Sequence, residues 1–398
     1  MAFTSPGDPL NLSWISGPSM RRAGHNELVA AEEELELNGD YFHLPQEHVV
    51  YGPGSLSRLG AEVERLKGER AFLITGHSLS EKTDFVDRIR EKLGHRWAGM
   101  FAGIRQHTPK SDVTRGAAEA RAARADLLLS LGGGSPIDGT KAVARAIEEA
   151  DGRLLPHLAI PTTLSAAEFS HLVGVTDEGK KAKTGFADPR LVPRSVILDP
   201  ELTQATPMPL WLSSGMRAMD HAVETLLAPG DHPIPDVMAL EAIDRLFRLL
   251  PASKENAQDV TVRGELQIAA WMSFFGEVNT AMGMSHILGR RVGARYDVPH
   301  GVTSCITLPW VMEAEAARKP APLAAIGRRI AREARMEGES KAARAAAQAM
   351  RDLVSRLGLP ARLSQVGVPH NDLASIAEAA YPPGEERARA LELLERMW

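Results

Sequence analysis

The sequence predicts an α/β protein of two domains, a parallel sheet covered by helices followed by an all-helical half. Three observations carry this. Short apolar runs alternate with helical segments from about residue 48 to 203, the pattern of a sheet buried on both faces. One run ends in Gly132-Gly133-Gly134-Ser135 and opens a helix. After Pro207 the chain turns to long Ala- and Leu-rich segments of helical spacing. At 398 residues the chain exceeds one ordinary domain. The division read from it is an N-terminal extension (1–40), an α/β domain (41–206) and a helical domain (207–398).

Composition narrows the partners. Hydrophobic residues make up 44% and charged residues 24%, enough apolar mass for two cores. A net charge of −5 gives no case for nucleic acid or an anionic membrane as partner. The single cysteine, Cys305, excludes an internal disulfide and fits a reducing compartment; its apolar neighbours mark it as a small buried residue. No run reaches the ~18 apolar residues of a membrane span, and the N-terminus lacks a signal-peptide core. The expected location is cytoplasmic.

Taken in order, residues 1–40 are rich in Pro, Gly and Ser and then acidic. They read as a mobile tail, or as an arm over a neighbouring subunit or the cleft mouth, anchored by Trp14 and Ile15. A short strand and turn begin at His48, followed by a helix through Leu66. A strand at 71–76 ends in Gly76; a helix over 81–93, a strand at 97–101, the loop Arg105-Gln106-His107-Thr108-Pro109 and a helix over 113–124 come next. His107 reads as a loop residue. The run 127–131 leads into the glycine turn and a helix over 139–149. A strand at 157–163 ends in Pro161-Thr162-Thr163, residues 176–185 form a hairpin, and 188–203 hold a strand between proline-marked turns. The helical half is read as 213–228, 235–250, 258–282, 311–336, 340–357, 372–380 and 384–397. The alternating charges at 328–335 make a solvated helix face.

The glycine turn is the best-placed motif of the first half. Glycines let backbone approach a ligand closely, and the free N–H groups of a helix start attract phosphate. In the second half, Arg217 and His221 stand four apart, as do His286 and Arg290, so each pair shares one helix face. His300 lies in a Pro-His-Gly turn. Together these five residues predict one pocket of three histidines and two arginines.

The segments 215–224 and 283–301 resemble the iron-containing alcohol dehydrogenase family and, within it, the maleylacetate reductase branch. The family's pattern is roughly G-M-D-x-x-x-H-A-x-E, then H-x-x-x-H-x-L-G-G-x-Y-x-x-P-H-G. The resemblance runs from about residue 42 and includes 105–109, 132–141 and 188–203. It implies a dehydroquinate synthase-like fold, with a Rossmann-like domain binding NADH or NADPH and the helical domain supplying the catalytic pocket. It places Gly132, Gly133, Gly134, Ser135 and Asp138 in the family's G-G-G-S-x-x-D motif. Thr162 and Thr163 match its P-T-T segment near the cofactor, and Lys183 matches a cofactor-side lysine, the alternative being a solvated turn lysine. Gly76 stands where NAD-preferring relatives often carry Asp. Ala166-Ala167-Glu168 replaces the family's G-S-E. The implied quaternary state is a homodimer.

The resemblance puts His221, His286 and His300 at the family's three metal-binding histidine positions. It also shows two departures, Arg217 for the metal-binding Asp and Arg290 for a second, catalytic histidine. Arginine keeps its proton, and at ~4 Å it repels a divalent ion by several kcal/mol even at an effective dielectric of about 20. The expectation is therefore no catalytic metal. Facing inward, Arg217 and Arg290 form a cationic floor for a small acidic substrate; alternatively Arg217 turns away to pair with Asp220 or Glu224. The expected activity is a metal-independent NAD(P)H-dependent reductase of the maleylacetate reductase type, with one of the histidines as proton donor. The alternatives are a repurposed enzyme doing non-redox acid/base chemistry, an elimination, isomerisation or cyclisation in the His/Arg pocket, and a non-catalytic cofactor sensor.

Overall fold

The computed structural model describes residues 40–179, 182–331 and 334–398, with the side chains of Ala182 and Lys183 left aside. The N-terminal extension with Trp14 and Ile15 thus lies outside the described residues, as does the Lys183 side chain.

Six strands form one parallel sheet: β1 (His48–Tyr51), β2 (Ala71–Ile74), β3 (Trp97–Phe101), β4 (Leu127–Gly132), β5 (His157–Pro161) and, after a hairpin, β8 (Ser195–Leu198). The hairpin strands are β6 (Leu172–Asp177) and β7 (Ala182–Ala187), paired antiparallel. The sheet order is β1-β8-β5-β4-β2-β3. Successive side chains of a strand point to opposite faces. Accordingly Ala71 and Leu73 pack with Leu127, Leu129 and Leu158 on one face, while Phe72 and Ile74 pack with Leu128 and Val143 on the other. Both faces are covered, which is why these strands read as unbroken apolar runs.

The strand order locates a crevice. From β2 the chain moves outward to β3, then crosses back to β4 on the other side of β2. Ligands of such sheets bind beyond the carboxyl ends of the strands where the order reverses. Those ends carry Gly76, after β2, and Gly132, the last residue of β4.

From Pro200 onward the described residues form helices and turns. The helix Met208–Leu227 runs through the middle of this half, with fifteen of its twenty residues buried. Two expectations are corrected here. The segment read as one helix over 258–282 stops at Ser273, and the turn that follows carries Glu277. The segment read as 311–336 is two helices, His300–Glu315 and Pro320–Ile330, because Pro320 disfavours the helical conformation at Lys319 but suits the first turn of the next helix. His300, read as a turn residue, is the first residue of the former, just after Pro299.

The halves meet through polar and aromatic contacts. Thr206 Oγ1 donates to the Thr162 carbonyl at 2.7 Å, and Leu164 N donates to Ser214 Oγ at 3.0 Å. Trp271 stacks on Phe169 with ring centres 5.4 Å apart and planes 11° from parallel. Among the described residues no helix is long and apolar enough to cross a membrane.

Candidate active site

The glycine turn closes tightly over the end of the sheet. Gly132 takes φ 136°, a conformation side chains disfavour, and a Cβ there would meet Pro136 Cγ at 2.9 Å. A Cβ on Gly133 would fall 2.9 Å from Thr163 Cγ2. The turn is thus a cradle of bare backbone facing Thr163, and it opens the helix Gly134–Asp151, whose first N–H groups lack intrahelical partners. Asp138 is bound inward: its carboxylate accepts from Lys141 Nζ at 3.2 Å and from Gly174 N at 3.3 Å. Lys141, fully buried, also donates to the carbonyls of Ala167 (2.7 Å) and Leu172 (3.1 Å). It braces the segment where the family's G-S-E is altered, and there Ala166 occupies φ 57°.

A cavity of about 1300 Å³ opens here between the two halves. Gly76, the turn Gly132–Ser135, Asp138, Thr162 and Thr163 line one wall. Arg217, His221, Arg290 and His300 line the other, together with Glu277. Every cofactor-side residue expected from sequence is at this cavity except Lys183, whose side chain lies outside the described set.

His286 corrects the expected five-residue pocket, because it does not line the cavity. It is buried at 1% exposure behind His221, the two rings stacked at 5.0 Å. Its Nδ1 lies 2.7 Å from Glu224 Oε2 and 3.3 Å from Asp220 Oδ2, and its Nε2 3.8 Å from Glu277 Oε1. Glu224 also accepts from the backbone N–H of Gly283 and His286 at the start of the helix Met284–Tyr296, which fixes that helix end. Burial pushes the carboxyls of Asp220 and Glu277 up and that of Glu224 up to about 7. It pushes the imidazoles of His221 and His286 down, with the Arg217 charge adding to the effect.

Arg217 satisfies both alternatives at once: it lines the cavity, and its Nη1 lies 3.8 Å from Asp220 Oδ2 and 3.5 Å from Ser304 Oγ. Arg290, one turn beyond His286, faces the cavity. Its hydrogen-bond partner is the Met282 thioether at 3.6 Å, and among the described residues no carboxylate pairs with it. Burial lowers its pKa, with Arg217 adding to the effect.

Two residues of this cavity, one from each half, were not singled out as site residues from sequence. Glu277 sat inside a segment read as helix, so its direction was hidden. His107, read as a loop residue, meets His300 edge-on with ring centres 5.8 Å apart; its only sequence signal was its place in Arg-Gln-His-Thr-Pro.

The geometry defines a class: a dinucleotide-type α/β domain joined to a helical domain, with a charged cavity between them. Residues 45–200 match the profile of the iron-containing alcohol dehydrogenase domain, and residues 211–391 match that of the Fe-containing alcohol dehydrogenase family, C-terminal. The chain belongs to the iron-containing alcohol dehydrogenase family and is an oxidoreductase of that family. It is 35% identical to a maleylacetate reductase of Rhizobium sp. (strain MTP-10005) over 340 residues, 83% of this chain and 88% of the relative. Another from Burkholderia cepacia is 32% identical over 358 residues, covering 89% and 95% of the two chains. The crystal structure of the Rhizobium enzyme superposes with a TM-score of 0.78 at 30% identity, over 90% of this chain and 97% of that one.

The family's metal needs the positions of residues 217, 221, 286 and 300 to converge as donors. Here the converging donor groups among the described residues are His221, Glu277 and His286, and Asp220, Glu224 and His286, each set within 4.8 Å. His300 is in neither. Arg217 offers no lone pair, and its charge already bears on His221, His286 and Glu277. Positions 217 and 300 therefore stand outside these donor sets, whereas His221 and His286 meet Glu277 in one of them.

Proposed function

We propose that the chain is a metal-independent, NADH- or NADPH-dependent reductase of the maleylacetate reductase type, acting on a small carboxylate-bearing substrate in the cleft between the domains. The observation that carries this is Arg290, a half-buried guanidinium that faces the cavity and, among the described residues, has a thioether but no carboxylate as partner. A buried charge without a counter-ion is expensive, and a substrate carboxylate held through two N–H donors supplies one.

The Gly132–Ser135 turn and the start of its helix hold the pyrophosphate through backbone N–H groups, and Thr162 and Thr163 flank the nicotinamide end. The bound dinucleotide supplies the hydride. Gly76 presents no carboxylate to repel a 2′-phosphate, so both NADH and NADPH are accommodated. Arg217 and Arg290 orient the substrate acid and stabilise the enolate-like charge that develops as an activated C=C bond is reduced. Burial disfavours a charge on His221 and His286, and His286 does not line the cavity, which leaves His300 at the cavity wall to deliver the proton to the carbon next to the one that takes the hydride. Relatives named maleylacetate reductase support the same reading. The protein is expected to work as a homodimer.

A second reading, acid/base chemistry without net redox, is favoured by Glu277, whose carboxyl is pushed up by burial beside Arg217 in the cavity wall.

Purified protein should oxidise NADH or NADPH in the presence of maleylacetate, followed by near-ultraviolet absorbance, with undiminished rate after chelation. Arg217→Asp should lose this activity and gain affinity for zinc or iron(II). One tightly held metal per wild-type chain, with activity lost on its removal, would overturn metal independence. Absence of dinucleotide oxidation with every acidic enone or dicarboxylate tried would favour the non-redox reading.

A further inference from the structure

We propose that His107 is a positioning residue for this chemistry, a strap that crosses the cleft to Asp297, keeps the two domains closed on a bound dinucleotide and sets the ring of His300; the proposal rests on the dinucleotide reading above. Three strained residues mark it. His107 and Thr108 are consecutive and take φ 61° and 52°, and Asp297 takes φ 56°, a left-handed conformation that non-glycine residues seldom adopt. Such strain persists where surrounding bonds enforce it, and it clusters at functional sites.

The enforcing bonds converge on the phosphate turn. His107 N donates to Ser135 Oγ and Thr108 Oγ1 donates to the Ser135 carbonyl, both at 3.2 Å. From β6, Thr176 N donates to the Thr108 carbonyl at 3.0 Å and Thr176 Oγ1 to that of His107 at 2.8 Å. At the loop's start the Arg105 guanidinium is held by buried Asp112 at 2.9 Å. The left-handed turn throws the imidazole away from its own domain. Its Nε2 lies 3.0 Å from Asp297 Oδ1, and the ring is 13% exposed while the Asp297 side chain is 85% exposed. Asp297 caps the helix that carries Arg290 and precedes Pro299 and His300. One end of the strap is therefore tied to Ser135, and the other sits between the arginine and histidine of the opposite wall. The same Nε2 lies 3.1 Å from the Gln106 side-chain amide; with the hydrogen on Nε2, a neutral or a charged imidazole donates to Asp297.

A ligand that touches both walls must feel the strap, whereas one confined to the phosphate turn must not. Titration calorimetry with NADH and with ADP separates the two. In His107→Ala and in Asp297→Ala, NADH should bind about tenfold more weakly, the scale of one hydrogen bond to a charged group. ADP affinity should not change, the double variant should equal either single one, and Asp297→Asn, which keeps an acceptor and tolerates the left-handed backbone, should restore NADH binding. His107→Gly relieves the backbone strain, so its Tm should match or exceed that of the wild type while the tenfold loss remains. NADH affinity kept in the alanine or glycine variants overturns the strap. So does an equal loss for NADH and ADP, which would make the loop only a local support for Ser135. A wild-type protein that binds neither ligand overturns the dinucleotide reading and the strap with it.

Discussion

At the centre of the cavity the N-terminal wall presents the glycine turn and two threonines at strand ends, whereas the helical wall presents Arg217, Glu277, Arg290 and His300. In the first, the ligand-facing groups are backbone N–H and hydroxyl, and their placement follows from the turn: Gly132 and Gly133 leave no space for a Cβ. In the second, Arg217, Glu277, Arg290 and His300 come from separate segments, and burial pushes the Glu277 carboxyl up. A backbone cradle resists substitution, because any side chain fills it. A charged wall depends on individual side chains, and each can be exchanged without moving the backbone.

The comparison is most severely tested at Gly133. Gly133→Leu should reduce dinucleotide affinity by at least about 100-fold through loss of the close backbone approach, and calorimetry checks it. Unchanged affinity would mean the cradle is not the phosphate site.

Behind the quieter wall lies a buried carboxyl whose titration can be read. Glu168 is buried and its carboxyl is raised from 4.5 to about 7, burial being the main cause. The folded state binds this proton more tightly than the unfolded chain does. The resulting stability is full below the unfolded value near 4.5 and is lost as pH rises through about 7. The swing amounts to up to about 3 kcal/mol. Denaturant unfolding of Glu168→Gln should lack that component, and an identical pH profile in both proteins would refute the assignment.

On the charged wall, Arg290→Lys keeps the charge but loses the planar fork. Turnover efficiency should fall by roughly 1–3 kcal/mol in transition-state stabilisation. Exposed Arg291 on the neighbouring face serves as control, with Arg291→Lys within about 0.5 kcal/mol. Equal kinetics for both variants would remove Arg290 from substrate binding.

The smallest effect is a gain. Ala166 holds φ 57° where the family pattern has glycine, so Ala166→Gly should raise stability by roughly 1 kcal/mol in thermal or denaturant unfolding. A loss would show that the Ala166 methyl packs more favourably than its backbone is strained.

The same contrast decides what the sequence could disclose. Strand, glycine turn and helix are local patterns, so the strand-to-helix turn after Leu131 was legible, although its helix starts at Gly134 and not at 139. Arg217 and Arg290 were legible as charges, and helical spacing gave their faces. The direction of His286 was not: the four-residue spacing that joins it to Arg290 says nothing about which lies nearer the cavity, and packing of His286 behind His221 decides that. Glu277 was hidden because apolar periodicity gave no sign that the helix ends at Ser273. His107 depended on two left-handed residues that no propensity foretells, since the bonds enforcing them come from β6 and Ser135, far along the chain.

The stacked pair Trp271 and Phe169 gives the molecule an optical property of its own. The indole belongs to the helical half and its partner ring to the α/β half, so opening of the cleft separates them and admits water to the indole edge. Emission from Trp271, read as the difference between wild type and Trp271→Phe, is a label-free gauge of how far apart the halves stand, and it can follow their motion in real time without an attached dye.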